Sequence, residues 1–420
     1  MSSPPPGIQR RYPLSTTLLL DLDDTLVKNN INQFLPRYLQ AYSNAVADLI
    51  DPELFIRSLL AGTRAMAENR LPDCTLKEVF DSVFYPLTGV DPALFQAEAD
   101  RFYDQVFPSL RNLTGPIPQA VEAVREARNR GYRLAVTTNP LFPRQAILQR
   151  LEWAGLSVDE FPFELITSFE TFHYAKPDPA YLGEALGRLG WPVGPVIVIG
   201  DDLERDIIPA RNLGLPYFWV SPDPERSSDP QDPSNGVKSI AEFIPWLDQS
   251  PPEALLPDHS SRSAFLATLR ATPAVLDSFS RILPEVDWAR RPEPEEWSLT
   301  EIFCHLRDVE MEVNLPRIHS VIESSNPFLP GQDTDPWADA RQYCLQNGMQ
   351  ALRQFFSTRH ELVELLESLD QEGWQRPARH AIFGPTRLHE LVNIIASHDR
   401  LHVQQLHRLI ERISPERLNN

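Results

Sequence analysis

Four short segments in the first half of the chain gather acid, hydroxyl and ammonium groups as phosphoryl chemistry requires. Asp21-Leu-Asp23-Asp24-Thr25 follows an apolar run at 16–20, and Thr138-Asn139 closes a second run at 134–138. Lys176-Pro-Asp178-Pro stands between runs, and Gly200-Asp201-Asp202-Leu-Glu-Arg-Asp206 closes a run at 196–200. Carboxylates gathered in one place repel one another unless a cation neutralises them. Hard oxygen donors without histidine suit Mg²⁺. A lysine and a hydroxyl beside them would hold a phosphoryl group. Lysine is scarce here, four residues against thirty-five arginines, so Lys176 stands out. Each segment alone has a plainer reading, since an acid after a strand often caps the next helix and KPDP makes a turn. Four in order are harder to explain that way.

The elements that would position these groups alternate in type. TTLLL (16–20), LAVTT (134–138), FELIT (163–167), VIVIG (196–200) and YFWV (217–220) read as buried strands. Between the second and the first lies a helical pattern from Pro118 to Arg130, ended by Gly131. Strands alternating with helices predict a Rossmann-like parallel α/β sheet, with its chemistry at the carboxyl ends of the strands. Residues from about 28 to 115 show helical periodicity without a clear strand, which predicts an inserted helical cap.

Taken together, these segments resemble the haloacid dehalogenase-like hydrolase superfamily over about residues 14–247. The resemblance implies that Asp21 is the nucleophile of an aspartyl-phosphate mechanism. Asp23 would be the general acid that protonates the leaving group and then activates water. Thr138 and Asn139 would contact phosphoryl oxygens, and Lys176 would neutralise nucleophile and phosphate. Asp201 would bind Mg²⁺ with Asp21 and the Asp23 carbonyl, while Asp206 would support Lys176 or the metal shell. Asp202 stays open as a sharer of the metal role, because the doubled acid fits two forms of the last motif. The dehalogenases of that superfamily lack the second aspartate, so Asp23 points to phosphate esters. A cap of this kind excludes water and contacts the leaving group. Lys28, Asn29 and Asn30, at its entrance, are weak candidates for substrate contact; His173 and Cys74 read as a loop and an idle residue.

The second half speaks through histidine: nine of ten lie after residue 250. His398 and His402 are spaced i, i+4 on the stripe that carries Leu391, Ile395 and Leu409, so both imidazoles share an apolar helix face. His305 falls between Ile302 and Val309 on another helix. Three neutral imidazoles buried without partners are unfavourable, and one shared metal would satisfy them. The plain alternative is a helix-face coincidence. Helices are expected at about 259–283, 298–323, 336–369 and 386–414, the second opened by a Ser298–Glu301 capping box and the fourth by Thr386, as an up-and-down bundle. Glu296-Trp297-Ser298, His305 and His398-Asp-Arg-Leu-His402 resemble the DinB-like four-helix bundle superfamily over about 259–414. That resemblance implies a three-histidine site for Zn²⁺, Ni²⁺ or Fe²⁺. It also brings rival functions: thiol-dependent transferase, metal-dependent hydrolase, or a module that holds a partner or a second copy. His319, His360, His380, His389 and His407 read as surface residues, and Cys304 as packing.

Composition sets the outer limits. The net charge of −19 excludes a general binder of nucleic acid or anionic membrane, and both halves share it, −11 up to Ser250 (22 basic, 33 acidic) and −8 beyond (17 basic, 25 acidic). No apolar run reaches the ~18 residues of a membrane span, and the N-terminal apolar stretch runs straight into carboxylates. Three cysteines without a CxxC pair fit a reducing compartment, so a cytoplasmic enzyme acting on a small phosphorylated metabolite is expected. Pro/Ser/Asp clusters at 221–236 and near 250 predict a hydrolase unit at 1–247, a junction at 248–258 and a bundle at 259–420, each able to stand alone.

Overall fold

A computed structural model of the chain describes residues 15–220 and 238–414; the proline-rich N-terminus and the Pro/Ser/Asp cluster at 221–236 fall outside the described residues. β1 (Thr17–Leu20) is buried along its whole length. An apolar run without alternation must be covered on both faces. Beyond a tight turn come β2 (Val27–Asn29) and four helices, α1 (Ile31–Ala45), α2 (Pro52–Ala67), α3 (Leu76–Thr88) and α4 (Pro92–Arg101). β3 (Thr114–Pro116) then pairs antiparallel with β2, so a two-stranded stalk carries the helical insertion. The stalk escapes sequence reading because three-residue strands show no periodicity. The helix starts are legible: Asp51-Pro and Asp91-Pro open α2 and α4, and a Thr75–Glu78 capping box opens α3.

The chain returns through α5 (Pro118–Asn129), β4 (Arg133–Val136), α6 (Arg144–Trp153), β5 (Leu165–Ile166), α7 (Pro179–Arg188), β6 (Val196–Gly200), α8 (Ile208–Leu213) and β7 (Tyr217–Trp219). Five strands form the predicted parallel sheet in the order β5-β4-β1-β6-β7. Strand order reverses at β1, and the crevice outside its carboxyl end is where such sheets bind ligands.

The second half begins with α9 (Phe243–Gln249) and reaches α10 (Arg262–Ile282), then α11 (Leu299–Val309), which runs through a widened turn at Glu310–Asn314 into α12 (Leu315–Glu323). β8 (Phe328–Leu329), α13 (Trp337–Ala340), α14 (Gly348–Glu367), α15 (Gln371–Trp374), β9 (Pro377–His380), β10 (Gly384–Arg387) and α16 (Leu388–Ile413) complete it. Several expectations are corrected. The half is not purely helical, because β8, β9 and β10 form a three-stranded sheet. The third long helix starts at Gly348, not 336: Gln342 takes a left-handed φ of 53° and Asn347 caps the new helix by accepting from Gln350 N at 2.7 Å. Thr386 lies in β10, and its hydroxyl donates to Glu390 Oε2 at 3.0 Å instead of capping α16. The bundle is not a simple up-and-down ring either. α10 packs against α14 and α16, and α11 against α14, so the first two long helices are not neighbours.

The two halves share a closely packed face. α10 lies along α7, and buried side chains of both belong to one apolar cluster with Leu186, Leu189, Ala267, Val275 and Phe279. Gly183 and Gly187 permit the approach: a Cβ on Gly183 would sit 2.8 Å from Ala271 Cβ, and one on Gly187 would overlap Val275 Cγ2. The junction is also docked, since Asp258 N donates to Gly214 O at 2.8 Å and His259 Nδ1 to Leu213 O at 2.7 Å. Alanine favours a helix interior over glycine by ~1 kcal/mol, whereas overpacking costs ~1–3 kcal/mol. Gly187→Ala should therefore lower the denaturation midpoint of the full chain, and in a Val275→Ala background the same change should become neutral or stabilising. Equal destabilisation in both backgrounds would show that the helix contact is not its source.

Candidate functional site

The acid motif after β1 folds into a tight turn. Asp24 takes a left-handed φ of 52°, its N–H donates to Val27 O at 2.7 Å, and its Oδ1 accepts from Asn29 N at 2.8 Å. Asn29 Nδ2 donates to Asp23 Oδ1 at 2.8 Å, so Asn29 holds the second acid, which corrects its reading as a substrate contact. Lys28 and Asn30 are exposed, and Asn30 makes no side-chain cap to α1.

Lys176 is the hub. Its Nζ donates to Asp21 Oδ1 at 2.7 Å and to Asp206 Oδ1 at 2.5 Å, and all three side chains are less than a tenth exposed. Burial works against the ammonium, but Asp206 and Asp21 outweigh it and hold the lysine above its ordinary range. Asn139 Oδ1 accepts from Lys176 N at 3.2 Å, and the Thr138 carbonyl accepts from Thr167 Oγ1 at 2.8 Å and Tyr181 OH at 2.7 Å, which fixes the loop that carries them.

Oxygens of Asp21, Asp201 and Asp206 lie within 4.8 Å of one another. Burial and the neighbouring acids push Asp201 up to about 8, and burial pushes Asp206 up to about 6 despite Lys176. Such acids fit a divalent cation: they are hard donors that repel one another until a positive charge joins them. Asp202 turns away, its Oδ1 accepting from Glu204 N at 2.9 Å and Arg205 N at 3.0 Å as a helix cap. Of the two acids, it is Asp201 whose oxygen gathers with those of Asp21 and Asp206.

Two residues near this centre carry roles that their sequence context conceals. His173 is fully buried, with Nδ1 2.7 Å from Glu184 Oε1 and Nε2 2.9 Å from Asp277 Oδ2 on α10. Burial opposes its charge, but Glu184 and Asp277 hold its pKa up to about 9. Arg150, on α6, reaches Asp23 Oδ1 with Nη2. A buried arginine in a helix carries no motif, and only the distant acid reveals it.

In the second half, α11 and α16 bring His305, His398 and His402 together. His398 Nε2 lies 3.2 Å from His305 Nε2 and 3.1 Å from His402 Nε2. Gln405 Oε1, an acceptor, lies 2.9 Å from His402 Nδ1, so that nitrogen carries the proton and Nε2 keeps its lone pair. Burial, with the neighbouring imidazole, pushes each of the three down to about 3. Neutral imidazoles with converging nitrogens fit a first-row divalent ion. Trp297 lies parallel to the His402 ring at 6.2 Å, and a cavity of about 410 Å³ opens beside it between Pro292, Glu296, Leu401 and Arg408. Cys304 is buried, which pushes its thiol up to about 11, and it stays packing. Two surface assignments are corrected: His380 is buried and accepts from Ile382 N at 3.2 Å to shape a hairpin, and His407 packs over Gly190.

Fold and site thus define an α/β enzyme with a carboxylate–lysine centre beneath a helical cap, followed by a bundle with a three-histidine cluster. Residues 16–214 match the haloacid dehalogenase-like hydrolase family, and residues 268–406 match the DinB superfamily. The phosphoglycolate phosphatase of Caulobacter vibrioides is 29% identical over 208 residues, 49% of this chain and 78% of the relative. The glyceraldehyde 3-phosphate phosphatase of Methanocaldococcus jannaschii is 27% identical over 199 residues, 47% of this chain and 81% of the relative. YfiT from Bacillus subtilis, a four-helix bundle of unusual topology, aligns over 39% of this chain and 91% of its own with a TM-score of 0.34 and 15% identity. The chain thus pairs a part similar to haloacid dehalogenase-like hydrolases, phosphatases among them, with a part similar to the DinB superfamily. Among the described residues no helix is long and apolar enough to cross a membrane.

The raised acids set a pH dependence. The folded pKa of Asp201, about 8, lies above its ordinary 3.8, so between these values the folded chain keeps a proton that the unfolded chain has lost. That stabilisation is complete below the lower value and is lost as pH rises through the upper one. A divalent cation held by these acids would take the proton's place. Millimolar Mg²⁺ should therefore raise the melting temperature, relative to chelator, more at pH 8 than at pH 5. Equal gains at the two pH values would contradict the assignment.

Proposed function

We propose that the first unit hydrolyses a small phosphate monoester with Mg²⁺, through an aspartyl-phosphate on Asp21. The observation that carries this reading is the buried Asp21–Lys176–Asp206 array, with Asp201 beside it and Asp23 held at its mouth by Asn29. Asp21, Asp201 and the Asp23 carbonyl would hold the metal, with Asp206 behind them. When bound, the ion neutralises the carboxylates and phosphoryl oxygens, making phosphorus open to attack.

The chain's own groups do the rest. An Asp21 oxygen attacks phosphorus while the bond to the alcohol oxygen breaks, and Asp23 gives that oxygen its proton. Thr138, Asn139 and Lys176 meet the oxygens of the moving group and balance its charge. Water then attacks the same phosphorus and gives its proton to Asp23. The bond to Asp21 breaks and inorganic phosphate departs. The phosphatase relatives named above support an ester of a small metabolite as the substrate. In the second unit, the converging Nε2 atoms support a site for Zn²⁺, Ni²⁺ or Fe²⁺ on His305, His398 and His402.

A phosphomonoester panel run with and without Mg²⁺ tests the first reading. Asp21→Asn should lose turnover by several orders of magnitude with the fold intact, since an amide cannot attack phosphorus. Asp23→Asn should slow poor leaving groups by ~10²–10⁴ and good ones far less. Full activity in Asp21→Asn would sink the mechanism. For the second site, metal analysis of the purified full chain in Mg²⁺-free buffer should find about one first-row ion, lost in His398→Ala. An unchanged metal content in His398→Ala would refute the three-histidine assignment.

A further inference from the structure

The phosphatase centre holds a cation that the chemistry above leaves unused. The Arg150 side chain is 3% exposed and bonds Asp23 Oδ1 through Nη2. Its guanidinium lies 5.5 Å from the Phe34 ring, on the cap helix α1, and 5.9 Å from Phe142, in the loop after β4. Its Nε is buried without a partner. Burying a guanidinium is costly unless its charge and donors are met. One carboxylate and two ring faces meet it only in part. Around it, α6 buries Ala146, Ile147 and Leu151, and an aliphatic side chain would satisfy the same packing. Nor does the nucleophile need this charge, because Lys176 already serves Asp21 and Asp206.

Its position says what the cation could meet. Asp23 is the acid that touches the departing ester oxygen, and Arg150 touches that same carboxyl group. The guanidinium therefore stands beside the first atoms of the alcohol, flanked by two aromatic rings. A planar fork whose Nε lacks a partner matches an anionic oxygen pair, from a carboxylate or from a second phosphate. Asp23 need not be lost in the exchange, because Asn29 Nδ2 holds the same oxygen from the other side.

Resting on the phosphatase reading, we propose that Arg150 is a specificity-determining residue that receives an anionic group carried two or three bonds from the ester oxygen. The substrate class is then a phosphate monoester of a small hydroxy acid, or a small bisphosphate. Neutral alcohols offer Arg150 nothing to exchange for Asp23.

The test is a ratio of kcat/KM values on the full chain with Mg²⁺. Ethyl phosphate is the neutral probe, 2-phosphoglycolate the carboxylate probe and ethylene glycol bisphosphate the second-phosphate probe. The unsubstituted chain should favour at least one anionic probe over ethyl phosphate by about 100-fold or more, the scale of a charged, fork-shaped contact. Which probe wins identifies the anion. Arg150→Met should bring that ratio to near one, and Arg150→Lys, which keeps charge and loses the fork, to an intermediate value. Arg150→Lys alone decides the matter if the methionine variant does not fold. Ratios that survive both substitutions, or an unsubstituted chain that treats neutral and anionic probes alike, would overturn the proposal and leave the phosphatase reading intact. Failure to hydrolyse any of the three esters, with p-nitrophenyl phosphate also inert, would remove the phosphatase reading and this proposal with it.

Discussion

A single buried ammonium organises the first half of this protein. Lys176 reaches the acid at the end of β1 and the acid beyond β6, two adjacent strands on either side of the switch point. Removing two carboxylates and a lysine from water is costly, and each would be intolerable there alone. Together they are tolerable because the lysine donates to both, and what remains uncompensated is negative. That residue of charge shows in Asp201, pushed up to about 8. On the proposed reading, a cation would complete the site on one side and a phosphoryl group on the other.

The loop that presents Lys176 is held from outside the sheet. Three residues before it, His173 bridges Glu184 of α7 and Asp277 of α10. Two residues after it, Asp178 caps α7 and accepts from Arg70 of the cap at 2.5 Å and from Arg270 of α10 at 2.6 Å. Arg281, further along α10, donates to Glu78 of the cap at 2.8 Å. Helix α10 thus touches both the catalytic loop and the cap. Its exposed pairs add little stability each, but the buried ones sit within two or three residues of the lysine. The glycines of α7 let α10 approach closely enough for these contacts to form.

How much of this the sequence discloses follows from the reach of each interaction. Asp21, Asp23, Thr138, Asp201 and Asp206 are legible because strand ends fix where they stand, and Lys176, well beyond β5, because lysine is scarce in this chain. The i, i+4 pair His398–His402 is legible because one helix sets its geometry, and His305 because its apolar neighbours name its face. Arg150, Asn29 and His173 are not. Their partners lie 127, 6 and 104 residues away for Asp23, Asp23 and Asp277, across turns or packed faces that no local pattern encodes. The β8–β10 sheet is hidden for a related reason, since Phe328–Leu329 is too short to alternate. Asp202 lay open because cap and ligand ask for the same residue, and only the turn at Glu204 and Arg205 separates them.

The two clusters of converging side chains meet the same problem with opposite chemistry. In the carboxylate cluster, a bound cation would compete with protons for the same oxygens, because burial and neighbouring acids push Asp206 and Asp201 up to about 6 and 8. In the histidine cluster, the imidazoles are already neutral far below pH 7, with pKa values near 3. Protons therefore do not defend that site at neutral pH, and its lone pairs stand open to an ion that prefers nitrogen. The oxygen cluster rejects such selectivity and suits a hard ion whose binding strengthens with pH. On the proposed reading, the two clusters would favour different divalent ions, by ligand hardness and by how much each must give up in protons to bind.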